Sequence, residues 1–201
     1  MNKIWLRGIV KDVKFAYKKF DENFYCVELE VERFSGTNDS VNCIVPELFV
    51  SLFNIGEEIG IEGEVRTKNE FVNGKSRLSV YVFVEKAGEL DGSTVNYSEI
   101  EGIICRKPTL RETPKGRVIS DFMLAVNRQN ARRTDYIPFI AWGRTAERIS
   151  LLELGAKVKV NSRIQSREYT KVYDNGIIEP RRVIEMSTVS FCEVNENGCQ
   201  D

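Results

Sequence analysis

The sequence predicts an all-β protein made of two tandem five-stranded barrels, each with one short helix between its third and fourth strands. Three observations predict this fold. The same order of elements occurs twice in the 201 residues. The strand segments alternate apolar and polar residues, as half-buried strands do. The two helical segments are too short for a fold in which helices cover a sheet.

The first copy of the pattern is followed by a segment of small and polar residues, and the second copy by a few polar residues. We therefore expect an N-terminal barrel at 1–86, a linker at 87–95, a second barrel at 96–194 and a short polar tail at 195–201. Gly8 and Gly102 occupy corresponding places in the first strands of the two copies.

Each copy contains three strands, a helix and two further strands. In the first copy the strands are Asn2–Val10, Phe24–Arg33, Ser40–Val45, Glu57–Thr67 and Arg77–Glu85, with a helix at Pro46–Phe53. In the second copy they are Asn96–Cys105, Arg117–Arg128, Asp135–Trp142, Ala156–Ser166 and Arg181–Val194, with a helix at Thr145–Leu154. Five strands and one helix in this order fit a closed Greek-key barrel, the OB-fold, which leaves no open sheet edge.

Several functional classes lack the residues they need. The chain has no histidine, which removes histidine metal ligands and the usual general base. Its five cysteines form no C-x-x-C pair, so we expect no zinc site or disulfide framework, and expect Cys26, Cys43, Cys105 and Cys192 to be buried. No phosphate-binding glycine loop is present. We therefore expect neither a cofactor nor an enzyme.

Nothing in the sequence predicts a membrane or secreted protein. The longest apolar runs, such as Val80–Val84, are far shorter than the ~20 residues of a membrane helix, and the N-terminus has no signal-peptide pattern. We expect a soluble, cytoplasmic protein.

The charges differ between the two halves. Residues 1–93 carry 12 basic and 16 acidic side chains, a net charge of −4, whereas residues 94–201 carry 17 and 14, a net charge of +3. Arginine binds phosphate in a bidentate manner and stacks on bases, so the second half is the better candidate for nucleic-acid binding. Its candidate contacts are Arg128, Arg132, Arg133, Arg163, Arg167 and Arg181.

Aromatic residues are interleaved with these arginines, as in grooves that bind single strands. Tyr136 and Trp142 are six positions apart on one predicted strand and therefore share a face, whereas Phe139 lies on the other face and belongs to the core. Tyr169 follows Arg167 closely. We interpret Tyr136, Trp142 and Tyr169 as candidate stacking residues.

The second copy resembles the bacterial single-stranded DNA-binding protein family over roughly Val95–Val194. The resemblance rests on GIICRKPTLRETPKGRVISDFMLAVNR, DYIPFIAWGRTAERISLLELG and RIQSREY. It implies an OB-fold that binds single-stranded DNA in bacterial replication, repair or recombination, associated with the nucleoid. The family's stacking positions match Tyr136, Trp142 and Tyr169. Members with two OB-folds per chain form homodimers, which implies four barrels per particle.

Three features depart from the family pattern. Asn130 stands where some members have an aromatic residue, and Ser162 stands where a glycine is usual. Because the sequence ends NENGCQD, we expect it to lack the family's acidic C-terminal tip, which recruits replication or recombination proteins.

The role of the first copy is open at this point. It could bind DNA weakly through Lys14, Lys18, Lys19, Phe20, Arg66 and Lys68, but its surplus of acids favours a dimerisation or partner module. A second hypothesis for the whole chain is a protein-interaction adaptor of a replication or conjugation complex, since OB-folds also bind proteins.

Overall fold

The computed structural model of the chain describes residues 1–33, 35–72, 74–89, 96–128, 132–172, 178–195 and 198–200. Its first half contains five strands and one short helix. These are β1 (Asn2–Lys19), β2 (Glu22–Glu32), β3 (Asn38–Pro46), α1 (Glu47–Val50), β4 (Glu58–Val72) and β5 (Lys75–Gly88). Antiparallel pairs β1–β2, β2–β3, β4–β5 and β1–β4, together with a parallel β3–β5 pair, close these strands into a barrel.

The second half repeats this arrangement. It contains β6 (Asn96–Glu112), β7 (Val118–Asn127), β8 (Thr134–Trp142), α2 (Gly143–Ser150), β9 (Lys157–Val172) and β10 (Ile178–Asn195). The β8–β10 pair is parallel and the other four pairs are antiparallel, as in the first barrel. The predicted all-β class and the two five-stranded OB-fold barrels are confirmed.

The two barrels are joined through their first strands. Residues Asn2–Leu6 of β1 pair antiparallel with Asn96–Ile100 of β6, which produces one sheet that runs through both barrels. The register is symmetric: Ile4 faces Ser98, and these two residues occupy equivalent places in the repeat. The two halves are thus related by an approximate two-fold axis between β1 and β6.

A glycine allows close strand contact at the same place in each barrel. A Cβ atom on Gly8 would lie 2.6 Å from the Glu30 carbonyl oxygen, and one on Gly102 would lie 2.9 Å from the Ala125 carbonyl oxygen. Real Cβ atoms do not approach backbone atoms so closely, so only glycine fits without a shift of the neighbouring strand. The correspondence of these glycines in the sequence therefore has a structural cause.

The structure differs from the predicted elements in four ways. The first helix has four residues, Glu47–Val50, instead of Pro46–Phe53, and α2 begins and ends earlier than predicted. Strands β1, β4, β5, β6, β9 and β10 extend beyond the predicted ends, most of them into polar hairpins. Part of the predicted polar tail forms a short strand, β11 (Gly198–Gln200), which pairs with β10. Most of the predicted linker lies outside the described residues.

The expectations for the cysteines are only partly confirmed. Cys43 is buried and Cys26 is half-buried, but Cys105 is exposed on a bulged part of β6. Cys192 is disulfide-bonded, which contradicts the expectation of a reduced, buried side chain. Within the described part of the chain, no helix is long and apolar enough to cross a membrane.

Candidate nucleic-acid interface

The outer face of β8 presents two aromatic side chains to solvent. Tyr136 is 49% exposed and Trp142 is 37% exposed, whereas Phe139 is buried and stacks on Phe122 with 5.1 Å between ring centroids. The alternation of side chains along the strand produces this separation. The predicted parity of Tyr136, Phe139 and Trp142 is confirmed.

Strand β9 places a row of polar side chains on the outside of the same barrel. Arg163 and Arg167 are exposed, and Ile164 between them is fully buried. The Arg167 guanidinium lies 3.4 Å from a Glu185 carboxylate oxygen on β10. The backbones of Tyr169 and Arg181 pair directly with each other in the β9–β10 hairpin, but their side chains lie outside the described part of the structure.

The three arginines that follow β7, Arg128, Arg132 and Arg133, have different environments. Arg132 and Arg133 are exposed in the β7–β8 connection, of which residues 129–131, including Asn130, lie outside the described part. Arg128 instead is 12% exposed and donates two hydrogen bonds of 2.7 Å to the Asp135 carboxylate. Its position favours a structural contact over a phosphate contact.

Asp135 also connects the two barrels. Its Oδ1 atom accepts hydrogen bonds from the Thr67 backbone N–H at 2.8 Å and from the Thr67 hydroxyl at 3.3 Å, and Thr67 lies on β4 of the first barrel. The Tyr136 N–H donates to the same hydroxyl at 3.2 Å. The start of β8, where the exposed tyrosine lies, is thus fixed against the first barrel.

The equivalent junction across the two-fold axis uses the same chemistry. Asp39 on β3 accepts two hydrogen bonds of 2.6 Å from Arg33, and two from the backbone and hydroxyl of Ser166 on β9, at 2.6 and 2.8 Å. Burial alone would raise the pKa of Asp39, but the hydrogen bonds from Arg33 and Ser166 outweigh it and hold this pKa below its ordinary value. Beside this junction lies a cavity of about 520 Å³ whose lining includes Arg33 and Arg163.

The first barrel carries an aromatic and basic cluster that the sequence patterns did not predict as a unit. Arg66 and Lys68 were candidates, but the rings beside them were not. These rings belong to Tyr17, Phe24, Tyr81 and Phe83. They lie on three different strands, so only the strand register brings them together. The alternation of aromatic and other residues at the exposed end of β1 was the one sequence signal for this cluster.

Comparison with known proteins shows which family the second barrel resembles. The model of the single-strand binding protein family matches residues 95–191. A single-stranded DNA-binding protein of Staphylococcus aureus is 33% identical over 116 residues, which is 53% of this chain and 79% of that protein. The chain belongs to the single-strand binding protein family.

Other relatives in this family share the same segment. The single-stranded DNA-binding protein of Halalkalibacterium halodurans is 38% identical over 95 residues, 44% of this chain. The single-stranded DNA-binding protein A of Bacillus subtilis is 29% identical over 110 residues, 52% of this chain. This chain spans 53% and 63% of the lengths of these two relatives.

The likeness in fold extends over both barrels. A crystal structure of the wild-type single-stranded DNA binding protein from Thermus aquaticus superposes with a TM-score of 0.77 at 21% identity, and the match covers 100% of this chain and 96% of that chain. The first barrel, which lies outside the family model's match, is therefore included in this likeness of fold.

Proposed function

We propose that this protein binds single-stranded DNA, without catalysis, in bacterial DNA replication, repair or recombination. The observation that carries the proposal is the pair of solvent-exposed rings, Tyr136 and Trp142, on one outer face of a barrel that also presents Arg163 and Arg167. The names of the relatives from Staphylococcus, Halalkalibacterium and Bacillus support the same function.

In the proposed mechanism, aromatic rings bind the bases and arginines bind the phosphates. Bases stack on Tyr136 and Trp142, and each stacked base contributes about 1–3 kcal/mol regardless of its identity. Arg132, Arg133, Arg163 and Arg167 contact phosphates, which releases counterions and makes the affinity depend on salt. Tyr169 and Arg181 are further proposed contacts because their backbones pair in the β9–β10 hairpin.

A fluorescence titration tests this function. The chain contains two tryptophans, Trp5 and Trp142. We expect oligo-dT to quench the fluorescence, high salt to weaken binding, and duplex DNA to compete poorly. Trp142→Ala should weaken oligo-dT binding at least about five-fold, which corresponds to ~1 kcal/mol of lost stacking.

Leu151→Ala provides a matched control. Leu151 is exposed, directly follows α2 and so lies at the opposite end of that helix from Trp142. We expect this variant to bind oligo-dT as the wild-type protein does. If the wild-type protein neither binds oligo-dT nor responds to salt, the single-strand function is wrong, and the protein-interaction adaptor becomes the hypothesis to pursue.

The proposal includes the oligomeric state and the cellular location of the protein. We propose a homodimer with four barrels in the bacterial cytoplasm, associated with the nucleoid through the DNA it binds. Support for the homodimer comes from the outer surface of the sheet shared by the barrels, where Trp5 stacks on Tyr97 with 5.9 Å between ring centroids. Replication or recombination proteins are proposed partners.

A further inference from the structure

We propose that the N-terminal barrel carries a second binding surface for single-stranded nucleic acid, built from different strand positions than the surface on the C-terminal barrel. We call it the N-terminal platform and define it by Tyr17, Phe24, Arg66, Lys68, Tyr81 and Phe83. The inference rests on the proposed function and extends it to the half of the chain outside the family model's match.

The platform is a chain of ring contacts. Tyr17 on β1 stacks on Phe24 on β2, with ring centroids 5.0 Å apart and planes inclined by 21°. The Phe24 ring lies 6.1 Å from the ring of Phe83 on β5. Phe24 is almost fully buried, whereas Tyr17 is 41% exposed. Tyr17 thus presents a supported ring on which a base can stack.

Cations lie over the neighbouring rings. The Arg66 guanidinium is 3.7 Å from the centroid of the Phe83 ring, and the Lys68 ammonium is 5.8 Å from the centroid of Tyr81. Arg66 is only 19% exposed and, like Arg128, is held by a carboxylate of its own barrel, so its role is to support the Phe83 ring. The more exposed Lys68 places a phosphate-binding group beside the Tyr81 ring, which is the combination that single-strand grooves use. This alternation of rings and cations favours a nucleic acid over a protein as the ligand.

The strand register shows that the platform lies on the face equivalent to the one that bears Trp142. Phe24 pairs with Pro46 in the β2–β3 ladder, as Ile119 pairs with Trp142 in the β7–β8 ladder. Pro46 therefore occupies the place of Trp142. On the second strand, the first barrel has Phe24 where the other barrel has Ile119, and the buried Phe24 ring supports the exposed ring of Tyr17 on this face.

A second pair of equivalent positions also has an aromatic residue in the first barrel and none in the second. Phe83 pairs with Ile44 in the parallel β3–β5 ladder, and Ser187 pairs with Ile140 in the parallel β8–β10 ladder. Phe83 therefore stands where the second barrel has a serine. Both barrels keep aromatic rings on this outer face, but on different strands.

The acidity of the N-terminal half does not oppose this inference, because the acids beside the platform are paired. The Arg66 guanidinium lies 2.8 Å from Glu64, and the Lys68 ammonium lies 2.7 Å from Glu70. These carboxylates hold the cations in place over the rings. The platform also adjoins the junction with the second barrel, because Thr67, between the two cations, binds Asp135.

The experiment compares full-length variants in binding to an oligo-dT of about 30 nucleotides, since one OB-fold covers roughly 4–16 nucleotides. Tyr17→Ala should weaken binding about five-fold or more, and Tyr17→Phe, which keeps the ring, should retain wild-type affinity. Phe15→Ala is the matched control: Phe15 is exposed on the same strand but contacts Tyr25 instead of the platform. It should bind as the wild-type protein does.

A second variant tests the cation independently of any effect of Tyr17→Ala on folding. Lys68 is exposed, and Lys68→Gln should reduce the slope of log affinity against log salt by about one phosphate contact. The inference is overturned if Tyr17→Ala binds like Phe15→Ala, or if Lys68→Gln leaves the salt slope unchanged.

The failure of this inference is distinguishable from the failure of the proposed function. Wild-type protein that does not bind oligo-dT contradicts both. Wild-type protein that binds oligo-dT, with Trp142→Ala impaired and Tyr17→Ala unimpaired, contradicts the N-terminal platform alone.

Discussion

Asp135 shows how a single side chain can fix the relative position of two barrels. Its carboxylate is 1% exposed, binds Arg128 of its own barrel through two hydrogen bonds and accepts two more from Thr67 of the other barrel. Asp135→Asn would leave the Arg128 guanidinium without a counter-charge in a nearly buried place. We expect this variant to lose about 3 kcal/mol of unfolding free energy, measured by urea denaturation.

Arg111 and Asp121 provide the control for that prediction. They form an ion pair of the same type on the surface, where both side chains are 43% exposed. Because water screens such a pair, Asp121→Asn should cost less than about 1 kcal/mol. Equal losses in Asp121→Asn and Asp135→Asn would contradict the special role of the buried carboxylate.

At the scale of the element, the first strand of each barrel depends on one glycine. A Cβ atom on Gly102 would lie 2.9 Å from both the Ala125 carbonyl oxygen and a methyl group of Val126. Gly102→Ala should therefore force β6 and β7 apart and lower the unfolding free energy by about 1–3 kcal/mol. Thr109→Ala, at an exposed position on β6, should stay within about 0.5 kcal/mol of the wild-type protein. A fully stable Gly102→Ala variant would contradict the close strand contact.

The order of the elements could be predicted from the sequence because buried strands leave a period-two pattern. Val27, Leu29 and Val31 show that pattern and are fully buried in β2. The outer half of β1 could not be predicted, because it extends into solvent as a hairpin and has no buried face. Strand ends that are held only by backbone hydrogen bonds to a partner leave no apolar signal.

The part of the candidate site that lies on a single strand could be predicted from the sequence. The shared face of Tyr136 and Trp142 follows from their spacing alone. The ion pair between Arg128 and Asp135 could not be predicted from the sequence, because Asp135 also binds Thr67 of the other barrel. The N-terminal platform likewise depends on the pairing of four strands, β1, β2, β4 and β5, so no single segment of sequence contains it.

At the scale of the whole molecule, the approximate two-fold axis explains why two divergent barrels keep the same junction chemistry. Arg33, Asp39 and Ser166 form one junction, and Arg128, Asp135 and Thr67 form the other. Each junction takes its arginine and aspartate from one barrel and its hydroxyl residue from the other. The two halves of the chain thus make the paired contacts of a symmetric dimer within a single polypeptide.

The same axis passes through the surface that we propose for homodimer formation. Trp5 and Tyr97 stack beside it, and the ion pairs Lys3–Glu62 and Lys159–Glu99 flank them on a continuous sheet face. Packing of two such faces would bury both ring pairs. We therefore expect sedimentation equilibrium to give about twice the chain mass of 23.0 kDa.

A pair of charge variants tests that assembly. Trp5→Arg removes one ring and adds a cation beside Lys3 at the centre of the face, so it should yield monomers at the same protein concentration. Ile55→Arg adds the same charge at an exposed position after α1, away from the sheet face, and should leave the dimer intact. A monomeric wild-type protein, or a dimeric Trp5→Arg variant, would show that the outer sheet face does not mediate assembly.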